Sequence, residues 1–522
     1  MELKDLNEIE RATRPGRPEL ARLGVAVLFL VTVIVFVGVR HAEVAGAYVL
    51  IGAAVIGAYM AMNIGANDVA NNVGPAVGSR AVTLVGAIVI AAVFEASGAL
   101  IAGGDVVSTV KQGIIDPQAI ADPNEFIWVM LAALLAGGIW LNVATSLSAP
   151  VSTTHSIVGG VLGAGIAAGG FGIANWGTVG AIVASWVISP MLGGIIAATF
   201  LYAIKRAITY RPDMLAAAAR TVPFMLGVMA WAFGTYLALK GLKHVIKVDF
   251  LSAAGIGLVA AVLIYAATKP LIARRVDKLD SSKESVNSLF TAPLICGAAL
   301  LSFAHGANDV ANAIGPLAAI NETIMGGGIT HEAGIPLWVM TVGALGIVFG
   351  LALYGPKLIR TVGSEITDLD QMRAFCVAIA AALTVILASQ LGLPVSSTHV
   401  AIGAVFGVGF LREHLKQSYA SMLVEIRAHH VGEDQAVVDT FLERFEFAGI
   451  EEKGRMLREL KRHKAEAELS KQERKQLSSV YKQELVQRSA VLRIVVAWVV
   501  TVPLSGLLAA LLYFTVRGMM LP

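Results

Sequence analysis

Apolar runs close to 20 residues long, separated by short polar loops, occupy most of the chain from residue 23 onward. A helix of that length rises about 30 Å, the thickness of a bilayer's hydrocarbon core. Backbone in lipid must satisfy its own hydrogen bonds, so each run is expected to be a helix. The runs fall at about 23–39, 44–64, 82–104, 124–147, 156–170, 176–203, 222–239, 250–268, 289–305, 336–354, 372–389, 397–411 and 490–516. Two of them, 156–170 and 397–411, are short enough to be half-helices of re-entrant hairpins. The predicted fold is an all-α polytopic membrane protein with about 12–13 membrane passes.

The chain contains itself twice. GANDVANNVGP begins at Gly65 and GANDVANAIGP at Gly306, an offset of 241; PVSTTH begins at Pro150 and PVSSTH at Pro394, an offset of 244. The glycine pairs Gly159/Gly163 and Gly403/Gly407 keep the 244 offset. Two motifs in the same order and about 85 residues apart in both halves are a duplication, not a coincidence of composition. Seven passes separate residue 44 from residue 289, so the two copies enter the membrane from opposite sides. Inverted repeats mark many secondary transporters, whose substrate sits near the midplane where the repeats meet. The expected organisation is a tail at 1–22, an extra span at 23–43, a first repeat at 44–204 and connecting spans with a basic loop at 205–288. A second repeat at 289–411, a helical polar segment at 412–488 and a last span at 489–522 complete it.

Composition supports the membrane reading and removes other classes. Of 522 residues 56% are hydrophobic and 15% charged, whereas soluble domains run near 25% charged. A soluble enzyme, a coiled coil and a disordered scaffold are excluded. A net charge of +3 implies no nucleic-acid partner. Cys296 and Cys376 sit in apolar runs, so neither a disulfide framework nor a thiolate metal site is expected.

Of the 40 Lys and Arg, 15 fall within 412–488, beside 14 Asp and Glu. The positive-inside rule places the N-terminus, the 269–288 loop and the 412–488 segment in the cytoplasm. Lys240, Lys243 and Lys247 then lie outside, against the rule, and the C-terminus lies outside as well. Within 412–488, Val437, Val438, Phe441, Leu442 and Phe445 recur at helical spacing, and Ser470 with Glu473 reads as a capping box. The expected location is the cell membrane, inner or plasma.

Asp68 and Asp309 stand in apolar sequence. A carboxylate in hydrocarbon costs at least about 2.5 kcal/mol, so it marks a function by default. The neighbouring spans hold almost no basic residues, which leaves a proton or a bound cation to neutralise it. Asn67, Asn71 and Asn72 flank the first aspartate, and Asn308 and Asn312 the second. Gly65, Gly74 and Pro75 around the first motif suggest a broken helix there. Pro150 and Pro394 are expected to end helices. Ser152 and Ser396 suit the N-caps of the next ones. Thr153 and Thr154, and Ser397 and Thr398, then fall in the first helical turn. Unpaired N–H groups, a positive dipole end and hydroxyls together make an anion cradle. His155 and His399 follow each cradle. Glu95, in FEASG, is a third intramembrane carboxylate, with no match in the second half.

Two such cradles without an arginine clamp suit a small tetrahedral oxyanion. Carboxylates beside it repel it unless a proton or cation loads at the same time, which is symport. A carboxylate also favours phosphate, which keeps a proton to donate, over sulfate, which has only acceptors. The alternatives are a sulfate symporter of the same fold, an uncoupled pore, and an intramembrane aspartyl protease using the two aspartates.

GANDVAN followed by PVSTTH, both duplicated, closely resembles the PiT family of inorganic phosphate transporters. The resemblance covers about 44–411 and the last span, through AWVVTVP from Ala497 to Pro503. It implies inverted repeats, a homodimer, and phosphate carried with protons or sodium, with no other cofactor. By resemblance, Asn67, Asn71, Ser152, Thr153, Thr154, Asn308, Asn312, Ser396, Ser397 and Thr398 would bind phosphate. Asp68, Asp309 and Glu95 would serve the coupling ion, and sodium would sit at Asp68 and Asp309. This chain departs from the pattern in its extra span 23–39 and in a main polar segment placed after the second hairpin. Its first repeat also has Ile64 where the second has His305.

Overall fold

The structure is a computed structural model that describes residues 16–120, 122–147, 149, 151–241, 248–280, 282–326, 334–365, 369–428 and 488–520. The first half contains α1 (Gly16–Arg40), α2 (Ala47–Gly78), α3 (Leu84–Ala102), α4 (Gly104–Ser108), α5 (Pro123–Ser146), α6 (Thr153–Gly169) and α7 (Trp176–Ile204). Then come α8 (Met214–Gly241), α9 (Phe250–Val276), α10 (Lys283–Ser288), α11 (Thr291–Gly326) and α12 (Leu337–Leu353). The set ends with α13 (Gly355–Glu365), α14 (Gln371–Gln390), α15 (Ser397–Ala428) and α16 (Arg488–Met520). π-turns at Thr109–Gly113 and Lys205–Thr209 continue α4 and α7. Among the described residues the only β feature is one antiparallel bridge, Ile115 to Ala174.

Ten helices among the described residues are long and apolar enough to cross a membrane. The three other expected runs are the 17-residue α6 and α12 and the start of α15. The first motif's helix differs from expectation. Both α2 and α11 run unbroken through their aspartates, over 32 and 36 residues. Pro75 lies within a turn of the α2 C-terminus, so its missing donor costs little there. Pro316 sits inside α11, where neighbouring helices can re-satisfy the freed carbonyl. The helix ends before the hairpins also differ. α5 stops at Ser146 and α14 at Gln390, where Gly392 turns the chain at φ 65°, a left-handed value that favours glycine. Those ends precede Pro394 by several residues, and Pro150 lies outside the described residues, as do the capping box and the apolar spacing of 437–445. α15 also continues past 411 to Ala428.

The two motif helices cross antiparallel. Gly46, at the start of α2, faces Ile324 at the end of α11; Gly57 faces Leu317; Asp68 faces His305. Around this pair the halves exchange neighbours. α12 packs on α2 while α3 packs on α11, and α16 packs on α6 while α15 packs on α7. Glycine makes these contacts. A Cβ on Gly65 would strike the Ile347 carbonyl and one on Gly350 the Met62 carbonyl. In the other half a Cβ on Gly306 would strike Glu95 and one on Gly98 the Phe303 carbonyl. Gly163 meets Gly506, and Gly407 meets Gly194, so the glycine pairs of the repeat are backbone contacts between helices.

Gly98→Leu and Gly350→Leu are expected to destabilise the bundle by at least about 1–3 kcal/mol through overpacking. The yield of monodisperse protein on size exclusion should fall sharply. Gly180→Leu, whose Cβ has no neighbour within 4 Å, should match the parent.

Candidate functional site

The antiparallel crossing brings both aspartates to one place. Asp68, Glu95, His305 and Asp309 are all fully buried. His305 lies one turn before Asp309 on α11. Its Nε2 is 2.9 Å from Asp309 Oδ2 and 3.6 Å from Asp68 Oδ2, and its Nδ1 is 3.2 Å from Glu95 Oε2. These are ion-pair separations without hydrogen-bond alignment. Three carboxylates thus surround one imidazole, which can carry at most one positive charge, so further protons or a cation must balance the rest. Asp68, His305 and Asp309 each offer an atom within 4.8 Å of the others, an arrangement that can hold a metal ion. Asn72 donates to Glu95 Oε1 at 2.8 Å, while Asp68 Oδ2 and Asp309 Oδ1 have no hydrogen-bond partner.

The hairpins deliver hydroxyls to this cluster. Ser152 caps α6 by accepting from His155 N at 3.1 Å, and Ser396 accepts from His399 N at 3.2 Å. The next two residues of the second hairpin reach both aspartates, one in its own half and one in the other. Ser397 donates to Asp309 at 2.6 Å and Thr398 to Asp68 at 3.0 Å. Asn71 donates to Thr398 at 2.8 Å. Asn312 donates to Thr153 at 3.3 Å and Thr154 at 3.2 Å, and Thr154 in turn donates to the Val395 carbonyl at 3.0 Å. Asn71 and Asn312 therefore each grip the hairpin of the other half.

Asn67 and Asn308 serve their own hairpins. Asn67 donates to Thr145 at 3.0 Å and to the Ala149 carbonyl at 3.2 Å, and accepts from Val151 N. Asn308 donates to Ser389 at 2.9 Å and to the Leu393 carbonyl at 3.3 Å. Their amides position the loops. The hydroxyls of Ser152 and Ser396 are likewise engaged as caps, and Ser152 also sits 2.6 Å from His155 Nδ1.

Behind the caps, four rings lie in a row, the first pair stacked and the next two tilted. Trp186 lies on His155 with centroids 3.6 Å apart, His155 is 4.4 Å from His399, and His399 is 3.5 Å from Trp498. Trp186 also donates to the Pro394 carbonyl. The ladder ties the two hairpins to each other and to α7 and α16.

All thirteen residues expected to hold phosphate or the coupling ion lie in this buried network. His305 was visible only as a mismatch with Ile64. Its i, i+4 spacing to Asp309 was the available signal, and it becomes informative once that segment is a continuous helix.

A buried charge cluster reached by hydroxyls from two helix ends, inside an apolar helix bundle, defines a polytopic membrane transport protein. Residues 64–509 match a family described as "Phosphate transporter family", and the chain belongs to it. A relative from Helicobacter pylori (strain J99), named "Putative phosphate permease", is 52% identical over 98% of each chain. One from Pyrococcus abyssi with the same description is 38% identical, covering 69% of this chain and 88% of the relative. A solved structure, "The sodium-dependent phosphate transporter", superposes with a TM-score of 0.74 at 30% identity, covering 91% of this chain and all of that one. The protein is a multi-pass membrane phosphate transporter, not an enzyme, which removes the aspartyl-protease alternative.

Asn67→Ala and Asn308→Ala should each lower stability by about 1–3 kcal/mol, because each leaves loop groups unpaired in a buried site. A thermal-shift measurement in detergent without phosphate reads this directly; unchanged melting would show that the loops do not depend on these amides.

Proposed function

We propose that the protein carries phosphate into the cell together with a cation, binding both where the two repeats meet. One observation carries this reading: the hydroxyls of the second hairpin donate to the two buried aspartates, Ser397 to Asp309 and Thr398 to Asp68. Anion cradle and carboxylates share hydrogen bonds, so filling one changes the other. Thr153, Thr154, Ser397, Thr398 and the first-turn N–H groups of α6 and α15 form the cradle. Asp68, Asp309 and Glu95, with His305, carry the balancing charge. The antiparallel α2 and α11 support an inverted repeat, with the anion near the midplane. The N-terminus and the 412–488 segment lie in the cytoplasm, and the functional unit is a homodimer in the cell membrane.

Sodium is the coupling ion this reading favours. The unpaired oxygens of Asp68, Asp309, Asn308 and Asn312 are hard donors. Pro75 and Pro316 also deprive the Asn71 and Asn312 carbonyls of their regular i+4 donors, leaving two more oxygens nearby. The sodium-dependent neighbour points the same way. A proton is the second reading, favoured by His305 standing between three carboxylates.

Radiolabelled phosphate uptake into proteoliposomes, under an imposed sodium or proton gradient, tests the reading. Sodium should drive accumulation, arsenate should compete and sulfate should compete poorly. Asp68→Asn and Asp309→Asn should each abolish coupled uptake in inserted protein. Gradient-dependent uptake by either variant would remove that aspartate from coupling. Ser397→Ala and Thr398→Ala should weaken phosphate binding by about 0.5–3 kcal/mol each, the upper figure applying to a bond with a charged group.

A further inference from the structure

An apolar cleft of ≈ 390 Å³ opens between α7, α8 and α14, lined by Phe200, Ile204, Phe224, Val228, Phe375 and Ile379 among others. Ligand clefts run from about 300 to 1,000 Å³. Thr221, the one polar residue of the lining, donates to the Ala217 carbonyl at 2.9 Å, so the exposed wall is apolar. Phe224 and Val228 are 62% and 40% exposed, which leaves the cleft open toward lipid. From Thr221 to Ala232 it follows α8 for about 16 Å, the depth of one leaflet of a hydrocarbon core about 30 Å thick.

The end of the cleft at the α7 C-terminus carries positive charge. Lys205 and Arg206 follow Ile204 in the π-turn Lys205–Thr209, the first half-buried and the second exposed. Arg206 donates to the Tyr202 hydroxyl at 3.4 Å. Arg373, Arg412, Asp370 and Lys283 act on Lys205 electrostatically, three cations to one carboxylate. Asp370 is itself paired with Arg373 at 3.2 Å. We propose that the cleft holds an acyl chain of an anionic phospholipid, whose headgroup phosphate sits on Lys205 and Arg206. The orientation proposed above turns this rim to the cytoplasm, where basic pockets between membrane helices attract anionic headgroups. A lysine stem can lie along the apolar wall while its ammonium reaches headgroup level. A zwitterionic headgroup brings a cation of its own to an already positive rim. Free phosphate carries the charge but nothing to fill the cleft.

A chain in this cleft bridges helices that hold the second hairpin. α7 carries Trp186, which donates to the Pro394 carbonyl, and α14 carries Ser389, which accepts from Asn308. α8 packs chiefly on α9 and faces α7 and α14 across the cleft. A filled cleft therefore braces the frame behind the hairpin from the lipid side.

The test is native mass spectrometry of the purified full chain titrated with dioleoyl-phosphatidylglycerol or dioleoyl-phosphatidylcholine. The anionic lipid should be retained with a Kd at least about tenfold lower than the zwitterionic one. Each Lys or Arg near the surface strengthens anionic-lipid binding about fivefold. Lys205→Gln combined with Arg206→Gln should therefore weaken phosphatidylglycerol binding about twentyfold and leave phosphatidylcholine within about twofold of the parent. Val228→Trp with Ala232→Trp fills the cleft, keeps the rim, and should weaken phosphatidylglycerol by about tenfold or more. A preference that survives the filled cleft marks charge attraction alone and overturns the proposal, as does an unchanged preference in the rim variant. If the filled-cleft variant is not recovered, glycerophosphoglycerol, the headgroup without chains, decides on the parent protein. Failure of a large excess to displace the lipid supports the cleft, and displacement overturns it. A second copy seated there, seen as a lipid-free dimer that the filled cleft dissociates, overturns the proposal too. The measurement involves no transport, so its outcome is independent of coupled uptake.

Discussion

Holding three carboxylates and an imidazole inside an apolar helix bundle is the constraint to which the rest of this structure answers. Each charge at the centre of a bilayer costs at least about 2.5 kcal/mol. Asp68, Glu95 and Asp309 lie fully buried around His305. The cost is tolerable only if protons or a cation balance the charge and if every nearby donor is aimed. Continuous helices supply that aim. Asp68 and Asp309 come from the middles of α2 and α11, rigid elements whose antiparallel crossing sets their separation.

The bracing is reciprocal, but the charge is not. Asn71 and Asn312 each hold the opposite hairpin, and Asn67 and Asn308 each hold their own. Against this matched frame, His305 and Glu95 have no counterparts in the other half. The Trp186–His155–His399–Trp498 ladder adds a mechanical link, because His155 and His399 hold the two hairpins in ring contact.

Close backbone approach makes this frame possible. With lipid outside as apolar as the helix sides, packing and hydrogen bonds must hold the helices together. Gly65, Gly98, Gly306 and Gly350 allow the motif helices to touch their exchanged partners backbone to backbone. That contact brings Glu95, on α3, beside α11 and within reach of His305.

The sequence by itself determined the membrane class, the helical content, the duplication, the two hairpins with their serine caps and the residues that gather at the centre. Each of these follows from local chemistry: apolar length, motif spacing, and the cost of a charge in lipid. It did not determine the course of the motif helices, since glycine and proline there read equally well as a break or as tolerated residues in a braced helix. Nor did it show which amide holds which hairpin, that His305 joins three carboxylates, or that Lys111 meets Glu322 from 211 positions away. Those pairings depend on how α2 and α11 cross and how the halves exchange neighbours. Only tertiary packing decides that, because no local preference distinguishes a partner in the same half from its equivalent in the other.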